Sequence, residues 1–319
     1  MTAGADGPTG TETGVGGDAG GSRRGEPSHR PDESAFAVEL EFARAVALEA
    51  GRVLMDRYER VERIEHKSPR DVVTEVDHLS EGLILGAIRE RFPADAILAE
   101  ESGEHHRRDG SSATAAEGRT WVVDPLDGTV NYANGIPFFC VSVALVVDGR
   151  PAVGVVHDPT RGESFAGTLD GPATLDGRMI LVSGKERLSD YVVSLALGGR
   201  GVATRTRAVR RAVRIPRSMG SAALALAYVA NGRFDAFVQQ GGLSAWDIAA
   251  AGLVAERAGA SVTDADGGPW FDLIRKPRAI GVVAAPLRHH RTLLDLARGA
   301  LVAPPSDGPA DVDASRDGR

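Results

Sequence analysis

Trp121-Val122-Val123-Asp124-Pro125-Leu126-Asp127-Gly128-Thr129-Val130-Asn131-Tyr132 is the stretch on which the reading of this chain turns. It opens as a β-like apolar run, 120–123, that stops at an aspartate. Pro125 ends the strand and forces a turn, so Asp124 and Asp127 can both face one ion while the Leu126 carbonyl stays free of the ladder. Gly128 lets the backbone approach a ligand closely, and a helix beginning after Thr129 would aim its free N–H groups at an anionic oxygen. Two further acidic blocks occupy the same kind of position. Glu100-Glu101-Ser102-Gly103 follows the run 96–99, and Ser244-Ala245-Trp246-Asp247 opens a helix. Each block by itself has an ordinary explanation: turn composition, a solvated strand end, a helix N-cap at Asp247 and another at Asp77. Several carboxylates converging with no His or Cys beside them would instead form an all-oxygen site, which suits Mg²⁺ before Zn²⁺. Metal beside a helix terminus implies a phosphate ester.

Outward from this stretch the hydrophobic period alternates between helix and strand. Residues 35–58 form an amphipathic helix through Phe36, Leu40, Phe42, Ala43, Val46, Val53 and Leu54, and a second helix opens at Asp77 and is ended by Pro93. Strands follow at 96–99, 120–123, 138–147, 152–157 and 163–166, with Asp148-Gly149 a tight-hairpin pair. The second half alternates: strand 191–197, helix 221–230 with Gly232 near its cap, strand 234–238, helix 247–258 ended by Gly259, strand 279–284 and helix 286–298. The first half runs hairpin to hairpin, so the fold class is layered α+β and α/β. No internal repeat of fixed period is present.

The chain has 319 residues, 42% apolar and 25% charged, enough for one or two domains with a sizeable core. Residues 1–33 hold nine glycines and almost no large apolar side chain, so they read as a disordered tail, as do residues 303–319. Gly14, Gly16 and Gly20 lack the flanking strand and helix of a nucleotide loop. Thirty-seven Lys and Arg stand against 44 Asp and Glu, a net charge of −7, and no basic stripe is read; nucleic acid is not an expected partner. Cys140 is the one cysteine, which excludes an internal disulfide and fits a reducing, cytoplasmic setting with the thiol as a buried hydrophobe. The longest apolar stretch, 138–147, is far shorter than a membrane helix, and no secretory signal or anchor is expected. Asp264-Ala265-Asp266-Gly267 lacks the remaining ligands of a calcium loop and reads as a turn, and His105-His106 as a solvated loop. Neither a serine-hydrolase elbow nor a Gly-Lys-Ser/Thr phosphate loop is present.

Glu100-Glu101-Ser, the block from Trp121 to Asn131, and Trp246-Asp247-Ile-Ala-Ala-Ala-Gly, in that order, resemble the inositol monophosphatase family of Mg²⁺-dependent, lithium-sensitive sugar-phosphate phosphatases. The segment from Lys67 through Asp71 and Thr74 to Asp77, and Arg217-Ser-Met-Gly220-Ser221-Ala222, also look like family segments, so the resemblance covers 35–302. It implies an α-β-α-β-α sandwich of the inositol monophosphatase and fructose-1,6-bisphosphatase type, usually homodimeric, occupying 34–302 with an α+β half to about 188 and an α/β half beyond. It further implies one Mg²⁺ held by Glu100, Asp124 and the Leu126 carbonyl, and a second held by Asp124, Asp127 and Asp247, with Glu100 able to hold a weaker third. Asp77 and Thr129 would orient and deprotonate the attacking water, with no covalent enzyme intermediate. The Gly128 and Thr129 backbone would hold phosphate oxygens, assisted by Lys67. Gly220, Ser221 and Ala222 match a segment that contacts the substrate ring. The hydroxyl-binding position, often Glu in the family, falls within Gln239-Gln240, where an amide bonds hydroxyls but supplies no anionic acceptor. The implied substrate is a small polyol or sugar phosphate, inositol-1-phosphate first. Histidinol phosphate, fructose bisphosphate and 3′-phosphonucleotides are the alternatives on the same scaffold, and a regulatory RNA- or protein-binding module that retains the fold is the alternative of another class.

Overall fold

The computed structural model describes residues 34–60, 64–68, 71–105 and 118–300. The expected tails, the glycines within the first of them, and His106 lie outside the described residues. In chain order, α1 (Ala37–Arg57) precedes a two-stranded ribbon of β1 (Ile64–Ser68) and β2 (Asp71–Thr74), then α2 (Glu75–Arg91). An eight-stranded sheet follows, built from β3 (Ala96–Ala99), β4 (Gly103–His105), β5 (Arg119–Asp127), β6 (Cys140–Val147), β7 (Arg150–Asp158), β8 (Glu163–Thr168), β9 (Thr174–Leu175) and β10 (Arg178–Met179). A short helix α3 (Thr129–Ala133) interrupts it after β5. The remaining elements are β11 (Val192–Ala196), α4 (Val202–Ala212), β12 (Ile215–Arg217), α5 (Ala222–Ala227), β13 (Ala236–Leu243), α6 (Ala245–Arg257), β14 (Ala260–Asp264), β15 (Ile280–Pro286) and α7 (Leu287–Arg298). Their five strands form a second sheet in the order β12-β11-β13-β15-β14.

Five layers result. Helices α1 and α2 cover one face of the large sheet with a core that includes Ile84, Ile88, Trp121 and Leu145. Helices α5 and α6 lie between the two sheets, and α4 and α7 close the far face of the smaller one. Helix α6 sits in the middle layer because its sequence is apolar all round: Ile248 through Ala255 are all buried, which a one-faced amphipathic helix could not tolerate. Gly154 on β7 permits the close approach, since a Cβ there would stand 2.7 Å from the Ala250 carbonyl oxygen. Among the described residues no helix is long and apolar enough to cross a membrane.

The hairpin at Asp148-Gly149 is formed, both residues at positive φ (48° and 75°), the backbone a two-residue turn needs to match strand twist. Other sequence expectations are corrected. Pro125 does not end its strand: β5 runs through it to Asp127 and takes up the proline as a bulge, its pairing stepping from Asp124–Ser142 to Asp127–Cys140. A proline has no N–H for the ladder, and a bulge is where that donor is dispensable. Strand β13 continues past Val238 to Leu243, and the helix expected over 221–230 is α5, which ends at Ala227. Helix α4 and strands β12 and β14 were not expected at all.

Candidate active site

The bulge in β5 has a chemical result. Residues three apart on a regular strand point to opposite faces, and the one extra residue returns Asp127 to the side of Asp124. Asp247 reaches them from α6. The three carboxylates each offer an oxygen within 4.8 Å of the others, and Asp124 and Asp127 are buried. Glu100, in the turn between β3 and β4, hydrogen-bonds Asp124.

Asp77 and Asp247 are not N-caps, as the sequence suggested. They stand at the third helical position, each accepting from the backbone N–H of the true caps, Thr74 at 2.8 Å and Ser244 at 2.6 Å. Such capping boxes hold both carboxylates at the start of long helices, where the backbone dipole favours negative charge. Asp77 is fully buried and its Oδ1 accepts from Thr129 Oγ at 3.0 Å; the same hydroxyl lies 3.0 Å from the Leu126 carbonyl. Asp127 is held from the other side. Its Oδ2 accepts from Ser221 Oγ at 2.5 Å and from the Ala223 N–H at 2.6 Å, so one carboxylate oxygen is committed to α5 and the other is left for the cluster.

Electrostatically the cluster is under load. Burial and the charges of Glu100, Asp127 and Asp247 push the Asp124 carboxyl well above its ordinary range. Burial, then the Asp127 charge, raises Asp247 to about 7. Asp127 is raised by burial and pulled back by Ser221 and the α5 amides. Acids that repel one another in this way are relieved by a cation with oxygen preference. Two oxygens on one Mg²⁺ lie no more than about 4.2 Å apart, so a small side-chain rotation would bring the set to ligand distance. The donor set fits the expected metal. Cys140, also buried, is 3.9 Å from Asp127, and burial raises its thiol well above the ordinary value, so it serves as packing beside the site.

Two lobes open from the cluster and share Gly242 and Asp247. One, of about 290 Å³, is lined by Ser194, Ser218, Gly220, Ser221, Ala222 and Gln239. The other, of about 370 Å³, includes Glu100, Trp246 and Arg278. Strand alternation decides between the two glutamines: Gln239 faces the first lobe, while Gln240 turns to the opposite side and bonds the Ala297 carbonyl. Gly128 caps α3 at φ 100°, with Phe138 O and Ser221 Cβ each 3.1 Å from where a Cβ would sit. Gly220, at φ 85°, lies against the Asn131 side chain. Lys67 is on β1, and its side chain lies outside what is described.

The sequence reading missed Ser194 and Arg278, for which it holds no local pattern, and gave Ser218 no role although it lies within the segment from Arg217 to Ala222. It also missed a basic surface. The residues from Arg200 to Arg217 contain seven arginines and no acid, a run hidden by the negative total, and α4 exposes Arg207, Arg210 and Arg211. Arg214, beyond its end, pairs with Asp190 at 2.8 Å.

Known proteins match this arrangement along most of the chain. The inositol monophosphatase family matches residues 37–301. The inositol-1-monophosphatase of Mesorhizobium japonicum is 38% identical over 230 residues, spanning 70% of this chain and 84% of that protein. A protein named Nus factor SuhB from Pasteurella multocida is 38% identical over 239 residues, 72% and 86% of the two chains. The solved structure of extragenic suppressor protein suhB from Bartonella henselae superposes with a TM-score of 0.75 at 32% identity, over 83% of this chain and 100% of that one.

Proposed function

This chain belongs to the inositol monophosphatase family, and from that premise we propose that it is a Mg²⁺-dependent phosphomonoesterase of small polyol or sugar phosphates, with inositol-1-phosphate its first substrate. The observation that carries the reading is the meeting of Asp124, Asp127 and Asp247 beside the Asp77–Thr129 pair. When bound, the metal supplies charge neutralisation at the phosphoryl group and lowers the pKa of water. The residues do the rest. Asp77, fixed by Thr74 through its Oδ2, accepts the Thr129 hydroxyl hydrogen on Oδ1. That leaves the Thr129 oxygen to receive a hydrogen bond from the attacking water and to pass its proton toward Asp77. Glu100, Asp124, Asp127, Asp247 and the Leu126 carbonyl are the proposed ligands, and the Gly128 and Thr129 backbone the proposed phosphate cradle, with Lys67 assisting. The uncharged polar side chains of the 290 Å³ lobe, Ser194, Ser218 and Gln239, suit a hydroxylated ring. We carry the cytoplasmic homodimer forward as part of the same proposal.

Phosphate release from a panel of esters, with and without Mg²⁺, tests it. Metal-dependent release, lost in Asp124→Asn, is expected. Preference for histidinol phosphate, fructose-1,6-bisphosphate or a 3′-phosphonucleotide by more than about tenfold, roughly 1.4 kcal/mol of transition-state discrimination, moves the substrate to that ester. No release from any ester refutes the enzyme.

The exposed arginines of α4, with relatives bearing the name Nus factor SuhB, favour a second reading, a binding module for nucleic acid that keeps the fold. Tight RNA binding, weakened by Gln at Arg207, Arg210 and Arg211 and falling steeply with salt, together with no phosphate release, would replace the first reading with this one.

A further inference from the structure

Helix α2 brings more than Asp77 to the site. Asp77, Ser80 and Glu81 are spaced i, i+3, i+4 and so share one face. That face is buried, at 0%, 0% and 4% exposure, where an ordinary core helix would carry apolar side chains. Each of the three bonds a different segment of the candidate active site. Asp77 holds Thr129. Ser80 Oγ donates to the Pro125 carbonyl at 2.9 Å, in the middle of the β5 bulge that turns Asp124 and Asp127 the same way. Glu81 takes the turn after β3: its Oε2 accepts from the Glu101 N–H at 2.9 Å and its Oε1 from the Ser102 hydroxyl.

We propose that Ser80 and Glu81 are positioning residues for the metal site, Ser80 fixing the bulge and Glu81 fixing the turn that carries Glu100. The assignment rests on the metal-dependent phosphatase reading. Its chemistry explains why a carboxylate stands there. A buried carboxyl group is unfavourable unless both its oxygens are used in hydrogen bonds. The turn presents two donors, an N–H and an O–H, and a carboxylate is the side chain that accepts from both. The bulge presents the converse, a carbonyl out of the ladder, and a serine hydroxyl donates to it. One rigid helix thus sets the spacing between Glu100, the Asp124-Asp127 pair and Thr129.

Mn²⁺ is the probe, titrated into the full chain and followed by calorimetry, so that binding is read without turnover. Side chains that hold metal ligands in place typically set affinity by about 10–100-fold, so Glu81→Leu is expected to weaken Mn²⁺ binding by at least about tenfold. Glu81→Gln keeps one acceptor for the Glu101 N–H and offers an N–H to the Ser102 oxygen, and is expected to restore most of the affinity. Equal loss in Glu81→Gln and Glu81→Leu would mean that charge, not positioning, is the contribution, and overturns the assignment. So does a lowered melting temperature with unchanged Mn²⁺ affinity. If Glu81→Leu does not fold, Ser102→Ala, on the exposed side of the same bond, takes its place and must weaken Mn²⁺ binding with the fold intact. Wild-type Mn²⁺ binding with this pattern but no phosphate release would refute the enzyme and leave the positioning role; no Mn²⁺ binding refutes both.

Discussion

Raising the pH should destabilise this protein when it is free of metal, and the acidic cluster sets by how much. In the unfolded chain an aspartate gives up its proton near 3.8, whereas native Asp247 keeps it to about 7. Between those values the native state holds a proton that the unfolded state has lost, so stability falls as pH rises through the window. A shift of about three units corresponds to about 4 kcal/mol at 1.36 kcal/mol per unit. Asp124 contributes to the same repulsion and is not added separately, since the pair titrates as a unit. At about 2 °C per kcal/mol for a domain of this size, the melting temperature in EDTA should drop by about 8 °C between pH 4.5 and 8. His157 and His290 work the other way: burial lowers both, so their stabilising share grows as pH rises toward 6.5. The measurement is therefore the difference between wild type and Asp124→Asn, followed by tryptophan fluorescence across the range. Asp124→Asn takes that group's own raised titration out of the cluster, leaving the variant several degrees more stable than wild type at pH 8 without metal. Saturating Mg²⁺ should reverse the order, raising wild type and leaving the inactive variant unmoved. A difference that stays constant from pH 5 to 8, or a metal-free wild type that outlasts the variant at pH 8, refutes the reasoning.

Thr129→Ala removes the hydroxyl between Asp77 and the attacking water and should lower kcat about 10²–10⁴-fold, as for a lost general base, with Mg²⁺ affinity unchanged; a loss in affinity alone would assign Thr129 to metal geometry. Gly154→Ala places a methyl 2.7 Å from the Ala250 carbonyl oxygen and should cost about 1–3 kcal/mol of stability by overpacking the β7–α6 contact, read as a lower urea midpoint with KM unaltered. Gln239→Glu supplies a charged acceptor in the 290 Å³ lobe, and a charge-assisted hydrogen bond stronger by about 1 kcal/mol should raise kcat/KM for inositol-1-phosphate about fivefold over that for fructose-1,6-bisphosphate; no change in the ratio would remove Gln239 from substrate contact.

The parts of this fold that could be read in advance are those where one residue type permits one environment. Asp148-Gly149 reads as a hairpin, and acids where apolar runs stop can face something other than core. Helix α4 escaped notice because its 11 residues carry four arginines, with Val209 its one buried side chain, so it lacks the apolar stripe that announces a helix. The capping boxes were legible and misread by one turn. Thr74-Glu-Val-Asp77 and Ser244-Ala-Trp-Asp247 both have the Ser/Thr-x-x-acid spacing, in which the hydroxyl residue is the cap.

What sequence could not supply is the direction of a buried polar side chain. Ser80 and Glu81 look like solvated residues on a helix surface until α2 is packed against β5 and the Glu100 turn, because their partners lie 45 and 20 residues away. The same holds for Asp124 and Asp127. Their separation of three puts them on opposite faces of an ideal strand, and only the pairing with β6 reveals the extra residue that reverses one of them. A proline inside an otherwise apolar strand is the local trace of that event. It is ambiguous between an ended strand and a bulged one, and the two differ in chemistry: an ended strand would leave Asp127 on a loop free to drift, whereas the bulge holds it against Ser221 and the first turn of α5. Burial first and repulsion second raise Asp124 and Asp247, and both persist because this backbone does not relax; carboxylates free to separate into solvent would titrate as ordinary aspartates. The pH dependence of metal-free stability therefore measures the rigidity of the β5 bulge as directly as it measures charge.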